Sequence, residues 1–360
     1  MNKLELDRRA FLLGAGASLS ASLLAKPAFA TLKNQDAVFA SGFKSPDGSF
    51  GLALLSEDGE LIQSYSLPAR GHGVAANQNS NWAIIFARRP ENFALAFDPK
   101  THLEPVLFST PADRHFYGHG TFSADGRLLY ASENDFENGV GRIGIYDAHS
   151  NFVRIGEFNS AGIGPHEIIM MPGGKTLCVA NGGIKTHPQF PRTKLNLDSM
   201  RSNIAFIDAY SGSVKEVHQL PDNWSLLSLR HMATDQKGNV WIGGQYEGSA
   251  FDQAPLVAKV SMGTSLQFID LSSKHNVGFK NYIGSVTIND KEGLVALSSP
   301  KGGQVLILDS QSGNVVKSHF TSGVCGLSPS RKSFIASNEH GHFAQAKHDL
   351  HWDNHIGQVL

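Results

Sequence analysis

Three stretches of the sequence decide its fold: Gly71-His72-Gly73-Val74, Gly118-His119-Gly120-Thr121 and Gly164-Pro165-His166-Glu167. Their histidines are spaced 47 residues apart, twice in succession. Each stretch runs through turn-forming residues (Gln78-Asn79-Ser80-Asn81, Ala124-Asp125-Gly126, Pro172-Gly173-Gly174) into an apolar run at 82–86, 128–131 and 177–180. Strand, tight turn and strand make a hairpin. The phrase returns at Arg230-His231-Met232, at Ile283-Gly284-Ser285-Val286 and at Gly323-Val324-Cys325-Gly326. Third strands end in Phe97-Asp98, Tyr146-Asp147, Ile207-Asp208 and Leu308-Asp309, and a fourth follows, as at 152–156.

Four short strands in each unit of about 40–50 residues is the pattern of a propeller blade, of the YVTN/WD40-like kind. A β-sandwich does not explain a fixed period. The expected fold is therefore all-β: a single β-propeller of seven blades, each of four antiparallel strands. The first blade, near 37–65, lacks an innermost strand, and the C-terminal 354–360 supplies it, so that both chain ends close one blade. Six blades also fit, because the last interval, from Cys325 to His355, is only 30 residues.

Residues 1–30 read as an address and 31–360 as the propeller domain. Asp7-Arg8-Arg9-Ala10-Phe11-Leu12-Leu13 is a twin-arginine export motif, followed by a Gly/Ala-rich apolar run and the cleavage signal Ala28-Phe29-Ala30. That apolar run is shorter than the ~20 residues a membrane-spanning helix needs, so no membrane span is expected in the mature chain. The expected location is the periplasm, reached in the folded state. Cys178 and Cys325 are the only cysteines, too few for a disulfide framework or an all-cysteine zinc site. A formal charge of -1 gives no footprint for nucleic acid. There is no G-x-S-x-G elbow, phosphate loop or H-E-x-x-H signature, so no catalytic residue is assigned.

The chain carries 16 histidines, and their positions have meaning in a propeller. The first strand of each blade lines the central channel. His72, His119, His166 and His231 share one register there, and His355 is a candidate fifth. Neutral imidazole ligates zinc, copper, iron and nickel. These four are therefore the expected metal ligands, with Glu133 or Glu167 completing the site. The exits of the second strands place Arg88, Arg89, Glu133, Asn181, Gln245 and Glu247 on the same face as candidate ligand-binding residues. Arg88 and Arg89 would clamp a carboxylate or phosphate. Some propellers use Gly-His in structural hydrogen bonding, and the aromatic-Asp strand ends would suit such a network. The segment from Thr186 to Asp198 is a lid over the face or a long loop. Five histidines in the last 21 residues form a metal-binding tract or a surface tail.

Longer motifs carry a resemblance. They are G-H-G-x-F-S-x-D-G-R-x-L-Y-x-x-E-N-D-F at 118–136, G-I-G-P-H-E at 162–167, A-N-G-G-I-x-T-H-P at 180–188, L-N-L-D-S-M at 195–200, N-Y-I-G-S-V at 281–286 and W-D-N-H at 352–355. Together they resemble the twin-arginine-exported domain-of-unknown-function 1513 family over essentially the whole mature chain. The resemblance implies a quinoprotein-amine-dehydrogenase-like propeller in the periplasm. It also implies a neighbourhood of imelysin-type and dihaem peroxidase-like proteins tied to iron uptake. The expected function is thus binding of a metal, iron or copper, or of a metal-chelate ligand on the channel-mouth face, with periplasmic iron-uptake proteins as partners. A hydrolase or oxidoreductase at that face, or an interaction scaffold with structural histidines, are the alternatives.

Overall fold

A computed structural model describes residues 38–190, 193–331 and 333–359, and the leader expected at 1–30 lies outside them. Seven antiparallel sheets follow one another along the chain, which settles the blade count at seven. Blade 1 holds Phe39–Lys44, Phe50–Leu55 and Leu61–Leu67. The inner strands of blades 2 to 7 are Gly71–Ala76, Arg114–Phe122, Pro165–Met170, Leu227–Thr234, Ser285–Asn289 and Val324–Pro329. Each is followed outward by three further strands. Among the described residues no helix is long and apolar enough to cross a membrane.

The C-terminus closes the ring in two pieces rather than as one strand over 354–360. His351–Trp352 pairs with Phe43 and Lys44, and Gly357–Gln358 pairs with Phe39 and Ala40. Asp353 to Ile356 bows out between them, toward the axis. Closure in this way leaves blade 1 without a free inner edge.

Burial grades from the axis outward. The second strand of blade 2, Ala83–Ala87, is buried at every position because blades cover both its faces, whereas the outermost strand of blade 6, Val315–Phe320, is exposed at every position. Aromatic side chains wedge between neighbouring blades: Phe86 of blade 2 meets Phe116 of blade 3 edge to face, with ring centroids 5.4 Å apart. Each such fully buried side chain contributes about 1.5–3 kcal/mol.

The aspartates that end the third strands serve their own turns. Asp98 accepts from the backbone N–H of Lys100 and His102 at 2.8 and 3.0 Å, and Asp309 from Ser312 at 2.7 Å. Asp147 and Asp208 do the same with His149 and Tyr210. They are turn-formers and hold none of the channel histidines.

Candidate metal centre

The inner strands bend where the histidines stand. Pairing with the second strand slips between Gly71 and Val74, Phe116 and Gly120, Pro165 and Glu167, and Leu229 and His231. A bulge re-aims a side chain, and these four turn His72, His119, His166 and His231 to the axis. Glycine is required beside them. Gly118 has φ +104, and a Cβ there would lie 2.6 Å from Cδ2 of His72. At Gly73 a Cβ would lie 2.7 Å from Nδ1 of His119. The Gly-His-Gly phrase therefore lets imidazoles from neighbouring blades touch.

Five rings meet at the axis. His355, delivered by the bowed C-terminal segment, lies 4.4 Å from His72, 4.7 Å from His119 and 4.8 Å from His231, between ring centroids. His119 and His166 are 5.0 Å apart, and His166 and His231 4.8 Å. Ligand atoms of His72, His119 and His166 all lie within 4.8 Å of one another, as do those of His119, His231 and His355. His119 belongs to both trios. Nε2 of His119, of His166 and of His355 is buried without a hydrogen-bond partner.

Carboxylates stand behind the rings. Asp353 Oδ1 is 2.9 Å from His72 Nδ1, and its other oxygen accepts from Arg70. Glu167 Oε1 is 3.6 Å from His119 Nδ1, and Oε2 is 3.4 Å from His231 Nδ1 while accepting from the Met232 N–H at 2.8 Å. The Asp353 hydrogen bond fixes the tautomer and orientation of His72 and leaves its Nε2 as the metal-facing nitrogen, whereas Glu167 stands near His119 and His231 without a hydrogen bond to either ring, and His231 Nδ1 has no partner among the described residues. Burial lowers the pKa of all five imidazoles, that of His119 to about 3, so the rings are neutral at pH 7. Burial raises Glu167, and the neighbouring imidazoles only partly oppose it. Burial pushes Asp353 up as well, but the hydrogen bond from His72 and the cations Arg70 and Arg88 prevail and hold it ionised.

A narrow polar cavity of ≈ 40 Å³ opens onto the rings. His72, His166 and His231 form its floor; Arg88, Arg89 and Arg230 are in its wall.

The family described as "Protein of unknown function (DUF1513)" matches residues 65–359. The chain belongs to this family. No curated protein matches the DUF1513 chain. Among solved structures, "Kuenenia stuttgartiensis Hydrazine Synthase" is similar at 14% identity and a TM-score of 0.58, over 86% of this chain and 95% of that one. A chain of the "Crystal Structure of Mitotic Checkpoint Complex" is similar at 13% identity and a TM-score of 0.53, over 74% of this chain and 71% of that one. At such identities the likeness concerns the propeller alone.

The other candidate residues of the DUF1513 chain divide. Gln245 lines the cavity with Arg88 and Arg89. Glu247 borders the face and pairs with Lys194 of the segment after blade 4's second strand. That segment packs at the rim, with Thr186 beside Tyr117 and Arg230. Glu133 is not brought to the axis: it is fully buried within blade 3, where Arg154 Nη2 donates to it at 2.8 Å and the Tyr146 hydroxyl at 2.5 Å. Asn181 is also occupied away from the cavity, donating to Ser160 O at 2.7 Å and to Asn203 Oδ1 at 2.9 Å.

Of the C-terminal histidines only His355 reaches the ring. His348 and His351 meet backbone carbonyls of Gly59 and Glu339, so they are fastenings of blade closure and not a metal tract or loose tail. Both cysteines are free and buried. The residues that the sequence did not single out are Asp353, Arg230, Tyr117 and Tyr282. Asp353 and Arg230 adjoin ring histidines in the W-D-N-H and R-H-M phrases, which was the available signal.

Proposed function

We propose that this propeller binds one first-row transition-metal ion at its axis on imidazoles of the two trios that share His119, namely His72, His119 and His166 or His119, His231 and His355. The observation that carries the reading is that each trio holds its ligand atoms within 4.8 Å of one another, with buried, unpartnered Nε2 atoms on His119, His166 and His355. Leaving a buried polar atom unpaired costs about 1–3 kcal/mol, and five neutral rings in one place have no evident role in holding the blades. A metal ion is the ligand that accepts lone pairs from three imidazoles so closely placed. Neutral imidazoles suit iron, copper, zinc and nickel. Since the rings are already deprotonated, uptake at pH 7 releases few protons.

A structural role for the histidines would pair them with the strand-end aspartates, and those aspartates serve their own turns. Further parts of the proposal rest on sequence: export to the periplasm through residues 1–30, and service in iron uptake as the family resemblance implies. Titration of metal-free protein with Co²⁺ tests the site. Visible d–d bands saturating at one equivalent are expected; no bands and no bound Co²⁺ after gel filtration would refute it.

A further inference from the structure

The imidazole floor is overlooked by three guanidinium groups that the chain offsets only in part, Asp353 acting on Arg88 and Glu247 on Arg230 without forming an ion pair. Arg88 and Arg89 leave the second strand of blade 2, and Arg230 precedes His231 in the bulge of blade 5. None of the three forms an ion pair among the described residues, and Arg230 Nε donates only to Ser228 Oγ, at 3.1 Å. The carboxylates of this face are committed elsewhere: Asp353 to Arg70 and His72, Glu247 to Lys194, Glu167 to the rings and the Met232 N–H. Three like charges line one narrow cavity with Asp353 acting on Arg88 as partial counter-charge, and a further anion there would lower their mutual repulsion.

Phenols add donors to the same wall. Tyr117 is 4% exposed, and its hydroxyl meets no partner with hydrogen-bonding geometry, although Thr186 is near enough to affect its titration. Tyr282 also lines the cavity. The inventory is therefore rich in donors, and its acceptors are the neutral amide oxygens of Gln245 and Asn354 and no carboxylate. A guanidinium fork matches a carboxylate in two parallel hydrogen bonds. The ≈ 40 Å³ available admits one such head group and leaves the rest of a molecule outside.

We propose that this cavity takes the carboxylate end of a small organic acid on Arg88, Arg89 and Arg230 with Tyr117, beside the imidazole-bound ion. The site would then handle a metal together with an anionic oxygen ligand. The placement beside an ion rests on the metal reading above; the carboxylate cradle stands on the arginines and Tyr117.

Calorimetric titration of malonate tests it, into metal-free and Zn²⁺-loaded protein, with inorganic phosphate as comparator. Malonate is expected to bind metal-free protein about tenfold more tightly than phosphate, because the fork fits a planar carboxylate. Arg89→Gln and Arg230→Gln should each weaken malonate by about tenfold or more. Tyr117→Phe keeps every charge and removes only an unpartnered hydroxyl, so the fold is preserved; malonate should weaken about threefold while Zn²⁺ uptake without malonate stays unchanged. Zn²⁺ loading should tighten malonate by about fivefold or more. Phosphate binding more tightly than malonate, or malonate affinity unchanged in both Tyr117→Phe and Arg230→Gln, overturns the proposal. Protein that takes up Zn²⁺ but no malonate overturns this proposal alone. Protein that binds malonate but takes up no Zn²⁺ overturns the metal reading and the coupling with it.

Discussion

Replacing His119 by leucine separates metal binding from folding. His119 is the one residue common to both ligand trios, so without it no trio of ligand atoms within 4.8 Å remains among the described residues. At free Zn²⁺ a hundredfold above Kd, a single site stabilises the folded state by about 2.7 kcal/mol. An unfolding entropy of about 2.1 cal/mol/K per residue, over the roughly 320 described residues, gives about 0.7 kcal/mol per degree. The wild-type melting temperature should therefore rise by about 4 °C with Zn²⁺, and that of His119→Leu by less than about 1 °C. Without metal the two proteins should melt within about 3 °C of each other. Leucine removes a buried Nε2 whose missing partner costs about 1–3 kcal/mol, and the poorer packing of leucine among the remaining imidazoles offsets that gain. Differential scanning calorimetry with and without Zn²⁺ reads all four values. An equal Zn²⁺ shift in both proteins would refute the reasoning, because the ion would then be bound elsewhere.

Acid should destabilise the metal-free fold. The five ring imidazoles titrate below their ordinary 6.5 in the folded state. The unfolded chain therefore binds more protons below that pH, and stability falls as pH drops, by up to about 1.4 kcal/mol per unit for each ring. Glu167, raised by burial, acts in the opposite sense but counts once; a melting temperature flat from pH 7 to 5 would show the rings to be solvated. Asp353→Asn removes the carboxylate behind His72 and should weaken Zn²⁺ about 10–100-fold in competition with a chelating dye. Gly118→Ala, with φ +104 and a Cβ pressed on His72, should lose about 1–3 kcal/mol and also Zn²⁺ affinity. Gly48→Ala, with φ +90 and nothing within 4 Å, should lose stability alone, which denaturant melts and Zn²⁺ titration would separate.

The propeller was legible in the sequence because each blade begins its inner strand with the same few residues, and a fixed period leaves few alternatives. The register of His72, His119 and His166 followed from that period, and that of His231, 65 residues on, from the return of the phrase beyond the segment at 186–198. What periodicity could not show is the bulge at each histidine, since a slipped register leaves no mark on residue spacing. Glu133 was assigned to the channel mouth from its place at a strand exit. Its strand, Leu128–Asp135, is buried on both faces, so alternation carries no information about which way a side chain points. Arg154 and Tyr146, distant in sequence by 21 and 13 residues, claim it instead. Asp353 and His355 reach the axis only because the C-terminus turns back into blade 1, so ring closure and completion of the site are one event.

Elemental analysis with X-ray absorption tests the central claim most directly, on the protein purified without metal-affinity resin or chelator. The expected result is about one equivalent of a first-row transition metal with a nitrogen shell at about 2.0–2.1 Å, the distance of imidazole ligation. Less than about a tenth of an equivalent, together with no uptake of Zn²⁺, Cu²⁺ or Fe²⁺ offered at concentrations where imidazole sites fill, would contradict it.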